Sequence, residues 1–342
     1  MKTREIAITT LPDGALTQGH FALREVDLPT PGPGEVLLRT ILISIDAAAR
    51  AWLQGATYRA PVRAGDAMPC YALCEVIESR APGLSAGDLV GGETVWADHA
   101  VVPARQVQKL PPMSPLTHHM SVYGIAGKTA FHGLLSVGRP IAGETVLVSA
   151  AAGAVGAYVG QIAKALGCRV VGVAGGTEKC GFVTDELGFD ACVDYRDPGM
   201  FKALRAACPD GVDVYFDNVG GPVLEAALFA MNERGRVVCC GAISQYDSAA
   251  ASGPRNLPGL VVVKRLRMEG FIVMDFARQD ATALRALKTW VEGGQIKVTE
   301  DVIDGLENTP AALIGLLAGE NRGKRMVRVG PDPEFAAQGE TQ

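Results

Sequence analysis

The sequence predicts an α/β protein in two parts, a barrel-like β domain followed by a doubly wound parallel sheet. Three observations carry that expectation. Short strand-like runs separated by Gly/Pro clusters fill roughly the first 110 residues. From about residue 120, strand-like and helix-like stretches alternate at the spacing of βαβ units. Glycine is in excess, with 41 of 342 residues, about 12% against a usual ~7%, which without a collagen period signals tight turns and close backbone approaches.

The β domain is read from EVLLRTILIS (35–44), ALCEVIES (72–79) and WADHAVVP (96–103), set apart by PTPGPGE and RAPGLSAGD. The α/β part opens with the buried run TVLVSA (145–150), a glycine turn and a helix over 155–167. It continues with a strand at 168–174, a helix at 177–188, a strand at 191–195, a helix at 198–208 and a strand beginning at 212. A helix at 222–232, a strand at 236–244, a strand at 267–273 and a helix at 283–294 complete the alternation. Leu-Gly and Gly-Gly at helix ends fit left-handed glycine caps. The remainder holds a strand, a helix and a final strand expected to return to the first domain, and the polar tail from Pro331 reads as loose.

Length fits two domains at roughly 150 residues each. With 48% hydrophobic and 20% charged residues the chain has a globular composition able to bury a core. A net charge of −5, without blocks of like charge, argues against nucleic acid or an anionic membrane as partner. Eight dilute cysteines read as reduced thiols. The start MKTREIAITT is short and polar, and the longest apolar runs are interrupted well before the ~18 residues of a membrane helix. The expectation is a cytoplasmic protein that does not engage a membrane.

Between the first strand of the α/β part and its helix the chain reads Ala150-Ala151-Ala152-Gly153-Ala154-Val155-Gly156. Laid on G-x-G-x-x-G, Ala151 takes the first position, Gly153 the second and Gly156 the third. The second glycine lets backbone approach a pyrophosphate, and the third lets the helix pack on its strand. Free N–H groups at the helix N-terminus complete an anion site. The second strand ends Ala174-Gly175-Gly176-Thr177, and the first acid, Glu178, is followed at once by Lys179. An NAD site needs a carboxylate at that strand's end for the ribose 2′-OH. Its absence, with a lysine nearby, favours NADP.

Several chemistries lack their residues. The β domain holds only Cys70 and Cys74, read as core thiols, and His118 and His119 have no partner ligands nearby in sequence. No metal site is expected. None of the seven tyrosines has a lysine four residues later, and G-x-S-x-G is missing. What remains is nicotinamide chemistry without a strong electrophile. That suits a conjugated C=C bond, because the developing negative charge reaches an oxygen as an enolate.

The stretches GIAGKTAFHGLL (124–135), GETVLVSAAAGAVGAYVGQIAKALGCRVVG (143–172), EKCGFVTDELGFDACVDYR (178–196), GVDVYFDNVGG (211–221), RVVCCGAISQY (236–246), LRMEGFIV (266–273) and GENRGKRMV (319–327) carry a resemblance. The chain resembles the zinc-independent medium-chain dehydrogenase/reductases of the prostaglandin/leukotriene reductase, plant double-bond reductase and curcumin reductase type. The resemblance implies a Rossmann domain over 120–296 that binds NADP(H). It implies a GroES-like β-barrel substrate domain from 1–119 and 297–342, and a homodimer.

It also implies site residues. Gly153, Ala154, Val155 and Gly156 would cradle the pyrophosphate, and Lys179 and Tyr195 would hold the 2′-phosphate. Asn218 and the stretch Cys240, Gly241, Ala242, Ile243, Ser244 to Tyr246 would line the nicotinamide half. Phe271, Ile272 and Val273 would offer backbone groups to the carboxamide, the Phe271 ring being core, and Asn321 would bond the cofactor from the returning segment. Tyr246 is the candidate catalytic residue, either supporting the enolate oxygen and the proton step or only positioning the cofactor.

In one place the chain departs from the family. Asp46-Ala47-Ala48-Ala49-Arg50 stands where the family reads D-P-Y-M-R or D-P-A-M-R, which alters a pocket wall of the first domain. Trp52, Tyr58 and Trp96 are candidates for aromatic walls or for the core. The expected activity is NADPH-dependent reduction of the C=C bond of small enones or enals, by hydride transfer to the β-carbon. The alternatives are an NADPH quinone reductase and a catalytically silent NADPH-binding protein.

Overall fold

Apolar runs flanked by glycine turns fold as expected along most of the chain. The computed structural model describes residues 1–333 except 56, 58 and 247–252. Tyr58 and the end of the polar tail lie outside the described residues. The chain divides into two compact units, one of Met1–Met120, Val302–Glu320 and the residues from Arg325, the other of Ser121–Asp301 and Asn321–Lys324.

The first unit begins with β1 (Lys2–Ile8), β2 (Phe21–Asp27), β3 (Glu35–Ser44), the short α1 (Ala48–Trp52), β4 (Pro69–Ser79), β5 (Leu89–Val95), β6 (His99–Pro103) and β7 (Val107–Lys109). The second holds α2 (Ile125–His132), β8 (Thr145–Ser149), α3 (Ala154–Ala165), β9 (Arg169–Ala174), α4 (Thr177–Gly181), β10 (Ala191–Asp194) and α5 (Met200–Ala207). It continues with β11 (Val212–Asp217), α6 (Gly221–Ala230), β12 (Met231–Cys239), α7 (Leu257–Lys264), β13 (Arg267–Gly270) and α8 (Asp280–Glu292). The chain then forms β14 (Glu300–Asp304), α9 (Thr309–Leu317) and β15 (Lys324–Arg328).

In the first unit, β1 and β2 pair as an antiparallel ribbon. The larger sheet runs β14-β15-β3-β4-β5-β7 with β6 also beside β3. The final strand does return, since β15 lies antiparallel to β3 with Val327 opposite Ile43. The core here gathers Val36, Leu38, Ile43, Val76, Val90 and Trp96 with Ile6 and Phe21. Trp52 and Trp96 both belong to it, and Arg59 stacks over the Trp52 ring at 4.4 Å. Cys70 and Cys74 are buried, and burial pushes the Cys74 thiol up to about 12.

The second unit is built on a parallel sheet of order β10-β9-β8-β11-β12-β13. In order of appearance that is 3-2-1-4-5-6, the doubly wound arrangement whose strand order reverses between β8 and β11. Alternation along each strand feeds two cores. Val146, Val148, Val170, Val214 and Phe216 face α3, whose Val159, Ile162 and Ala163 are buried with them. Leu147, Val171, Val193, Tyr215 and Val237 face the other way, toward Leu204 of α5 and Val223 and Leu228 of α6. Gly167 and Gly294 follow α3 and α8 with φ of +81° and +74°, the left-handed geometry that glycine adopts without strain.

The structure departs from the sequence expectation in places. The helix expected over 177–188 is α4 continued by wider turns through Glu186. The strand expected at 236–244 is β12, which ends at Cys239, because Asp217 O captures the next two N–H groups. The strand expected through 273 stops at Gly270, after the last register pair with β12. Residues 297–301 and 321–324, expected with the β domain, group with the parallel-sheet unit. The Gln161 side chain accepts from Lys297 N–H at 2.7 Å, while Gly323 N–H donates to Ala152 O and Lys324 N–H to Thr299 O. No helix of the described residues is long and apolar enough to cross a membrane.

Candidate dinucleotide and active site

The C-terminal ends of the parallel strands bring the expected site segments to one edge. Behind β8 the turn is tight: Ala150 adopts φ +50°, Gly153 N–H donates to Ala150 O at 2.9 Å, and Ala157 N–H closes the first turn of α3 on Gly153 O. A Cβ on Gly156 would stand 2.3 Å from Ala150 O, and one on Gly153 would stand 3.2 Å from the same oxygen. Only a bare Cα lets α3 begin so close to β8. The residues therefore fit a pyrophosphate cradle, with Gly153 N-terminal to a 12-residue helix.

A second segment closes this turn. Gly323, with φ +67°, bridges Gly153 in parallel and donates its N–H to Ala152 O at 2.8 Å. A Cβ there would meet Thr299 O at 2.1 Å, so glycine alone fits between the two carbonyls. Asn321, buried, donates its side-chain amide to Gly323 O at 2.9 Å, and its own carbonyl accepts from Lys179 Nζ at 2.5 Å. Lys179 and Asn321, far apart in sequence, are thus neighbours.

At the end of β9, Gly175 and Gly176 offer no side chain. The space beside them is taken by residues that follow β10: a Cβ on Gly175 would stand 2.8 Å from the Tyr195 ring and 3.1 Å from Nε of Arg196. Asp194 fixes this arrangement, its Oδ1 accepting from Gly176 N–H at 2.8 Å and from Arg196 N–H at 2.9 Å. Those bonds favour the charged form and hold the Asp194 carboxyl below its usual range. Across from them Arg322 pairs with Glu178 and lies over the Phe182 ring at 5.6 Å.

The nicotinamide-side segments converge on β8, β11 and β12. Asn218 ties β11 to β8, its side-chain amide donating to Ser149 O at 2.8 Å and its N–H to Ser149 Oγ at 2.9 Å. The buried Asp217 holds the turn: its Oδ1 accepts from Tyr215 Oη at 2.7 Å, Gly220 N–H at 2.8 Å and Val219 N–H at 2.9 Å, with Ser149 Oγ at 3.3 Å. From β12 the chain folds over this turn. Cys240 and Gly241 donate to Asp217 O, Ile243 N–H to Asn218 O and Ser244 N–H to Val219 O, with Ser244 Oγ on Val219 O at 2.6 Å. Burial pushes the Cys240 thiol up to about 12, so it stands as a neutral thiol. The run ends with Tyr246, whose hydroxyl accepts from Ala242 N–H at 3.4 Å.

Phe271 is a core side chain, edge-on to Phe216 at 6.4 Å and to Phe276 at 6.2 Å, and a Cβ on Gly133 would stand 2.5 Å from its ring. Ile272 and Val273 lie beyond β13, the first exposed and the second half-buried. The structure thus gathers Gly153 to Gly156 with Lys179 and Asn321, and Asn218 with Cys240 to Tyr246. Asp217, Gly323 and Arg196 were not singled out from the sequence. An acid ending the apolar run VDVYFD before a glycine turn, and an arginine directly after Tyr195, are the signals that point to two of them. Among the described residues no group of three or more His, Cys, Asp or Glu side chains is disposed to hold a metal ion.

Comparisons with known proteins place the chain among oxidoreductases. The family described as the N-terminal domain of oxidoreductase matches residues 4–110, and that described as zinc-binding dehydrogenase matches residues 154–289. The NADPH-dependent curcumin reductase of Escherichia coli (strain K12) is 41% identical over 97% of this chain and 98% of its own. The NADP(+)-dependent 2-alkenal reductase of Nicotiana tabacum is 39% identical over 87% of this chain and 88% of its own. The crystal structure of CurA in complex with NADPH from Vibrio vulnificus superposes with a TM-score of 0.92 at 37% identity, covering 96% of this chain and all of that one. The architecture is the medium-chain dehydrogenase/reductase fold, an N-terminal domain joined to a Rossmann-like parallel sheet.

Proposed function

The chain belongs to the medium-chain dehydrogenase/reductase family of NADPH-dependent curcumin and 2-alkenal reductases, and on that premise we propose that it saturates the C=C bond of α,β-unsaturated ketones or aldehydes. It is an NADP-dependent oxidoreductase. When bound, the reduced nicotinamide supplies a hydride for the substrate β-carbon.

The chain's own residues do the rest. The turn from Gly153 to Gly156, closed by Gly323, receives the pyrophosphate on backbone N–H groups. Lys179, held on Asn321 O, supplies positive charge toward the adenosine half, and Tyr195 lies at the same strand ends. Asn218 and the run from Cys240 to Ser244, laced to β11, give the nicotinamide half a rigid floor. Phe271, Ile272 and Val273 offer backbone groups to the carboxamide.

The observation that carries the chemistry is the position of Tyr246. Its hydroxyl accepts from Ala242 N–H at 3.4 Å, and a phenol that accepts there still carries an O–H proton to donate. Hydride addition leaves the electron pair on the carbonyl oxygen as an enolate, to which the Tyr246 O–H donates. A proton then adds to the α-carbon from Tyr246 or from water, completing the saturated carbonyl. The resemblance adds a cytoplasmic homodimer to this reading, and light scattering on the purified chain reads the dimer.

The test is consumption of NADPH with an alkenal, an aryl enone, a quinone and a simple ketone, NADH serving as control. Oxidation with the enone or alkenal and recovery of the saturated carbonyl supports the proposal. Turnover of the quinone alone makes the protein a quinone reductase, and NADPH binding without turnover makes it a silent binder.

A further inference from the structure

We propose that Arg196 is a specificity-determining residue that reads the 2′-phosphate of the cofactor and so sets the preference for NADP(H) over NAD(H). The proposal rests on the NADPH reading above and adds to it a residue that the resemblance does not supply.

The end of the second parallel strand is where a dinucleotide fold meets the adenosine ribose, and where an acid selects the 2′-OH. In this chain that strand, β9, ends at Ala174 and is followed by Gly175-Gly176, which bring no side chain. The register of the sheet brings one in from outside. β10 runs parallel to β9 with Asp194 opposite Ala174, so residues 195 and 196 emerge level with residues 175 and 176. Asp194 locks the two exits together by accepting from both Gly176 N–H and Arg196 N–H. The arginine side chain is thereby laid over the glycines, its Nε 3.1 Å from a Cβ placed on Gly175 and its Nη1 3.6 Å from one placed on Gly176. Gly176, with φ +88°, adopts a backbone conformation that side chains avoid, which helps to keep this ground clear.

The chemistry of the guanidinium completes the argument. It sits 5.7 Å over the Tyr195 ring, a cation–π contact that restrains it without using its donors. Among the described residues the guanidinium makes no hydrogen bond or ion pair, so its planar fork stays available to a ligand. The neighbouring cations are placed differently: Lys179 Nζ is held on Asn321 O, and Arg322 is paired with Glu178. A phosphate monoester presents the near-tetrahedral oxygens that an arginine fork meets in bidentate fashion, whereas a ribose hydroxyl gives it neither charge nor geometry to read.

The experiment uses the purified full chain and calorimetric titration with 2′,5′-ADP, 5′-ADP, NADPH and NADH, for the wild type, Arg196→Ala and Arg196→Lys. The expected result is that Arg196→Ala weakens 2′,5′-ADP and NADPH by roughly tenfold to a hundredfold, the scale of a lost charge-assisted bond. The dissociation constants for 5′-ADP and NADH stay put, and Arg196→Lys falls between because it keeps the charge and loses the fork. The affinity for 2′,5′-ADP also becomes less sensitive to salt. If Arg196→Ala keeps the full preference for 2′,5′-ADP over 5′-ADP, or weakens all four ligands alike, Arg196 is not the determinant. If the wild type itself fails to prefer 2′,5′-ADP, the NADPH reading falls, a result separable from either of the others.

Discussion

Ala151 and Gly172 share one space. The Ala151 methyl lies where a side chain on Gly172 would be, since a Cβ at 172 would come within 2.8 Å of Ala151 Cβ and 2.9 Å of Val183 Cγ1. Both belong to neighbouring parallel strands or their exits, with Val148 of β8 paired to Gly172 of β9. The first position of the phosphate-turn pattern, ordinarily glycine, thus carries a methyl group here, and the small residue it needs has moved to the adjacent strand. Gly172→Ala is expected to destabilise the protein by about 1–3 kcal/mol through overpacking and to weaken NADPH binding. Ala151→Gly in the same chain should recover part of that loss, leaving the contact with Val183. A double-mutant cycle by denaturant unfolding measures the coupling.

The Asp217 carboxylate is a hub rather than a reacting group. Asp217→Ala would strand the Tyr215 hydroxyl and the Val219 and Gly220 N–H groups inside the protein. Each unsatisfied buried partner costs about 1–3 kcal/mol, so unfolding should move to markedly lower denaturant. Asp217→Asn keeps an acceptor oxygen and should lose less. The same two variants, titrated with NADPH, test whether the turn at Asn218 depends on that hub.

Tyr246→Phe removes a hydroxyl while leaving the ring that packs at the end of the 240–246 run. Turnover with an enone should fall by more than NADPH affinity does, on the scale of about 10²-fold for a lost general acid. Steady-state rates and a separate binding titration distinguish the two. An unchanged rate with a reactive enone removes Tyr246 from the chemistry.

Acid should unfold the protein partly through His132. Its ring is fully buried, stacked on Phe276 at 4.7 Å, and neither nitrogen has a hydrogen-bond partner among the described residues. Burial lowers its titration below the usual 6.5, the nearby Lys128 charge acts in the same direction, and Asp280, with Oδ1 at 3.9 Å, opposes them. The unfolded chain therefore takes up the proton first. The stability owed to a neutral His132 is present above the unfolded value and is lost as pH falls through it toward the lower folded value. His99 and His119 are shifted in the same direction by burial and add to the slope. Replacing His132 with phenylalanine should flatten the decline in stability between about pH 7 and pH 5, read by denaturant midpoints across that range.

The parts of the fold legible in the sequence are those whose strands are covered on both faces and so read as continuous apolar runs. β8, β9 and β11 are apolar runs buried along almost their whole length, and the spacing between them marks parallel strands. The ribbon of β1 and β2 was not legible, because six of its fourteen residues are charged and several find their partners across the strands. Lys2 pairs with Glu25 at 2.6 Å and Arg24 with Glu5 at 2.7 Å. Nor was α7, where LPGLVVVK combines proline, glycine and valines in a stretch with no helical period. The same division runs through the site. The glycine turn is legible because Gly153 and Gly156 act on atoms a few residues away, whereas Gly172, Arg196 and Gly323 matter only through strand register and through a segment that returns from the end of the chain.

That returning segment fixes when the protein becomes competent during synthesis. The phosphate turn at residues 150–156 emerges from the ribosome midway, yet the N–H that lies against Ala152 O belongs to Gly323. A nascent chain can assemble its parallel sheet long before that glycine is translated, and it carries an open-sided nucleotide cradle throughout that interval. A product terminated before residue 321 lacks the closing edge altogether, so premature stop codons late in the message should yield polypeptides that hold no NADPH in reserve from the full-length enzyme.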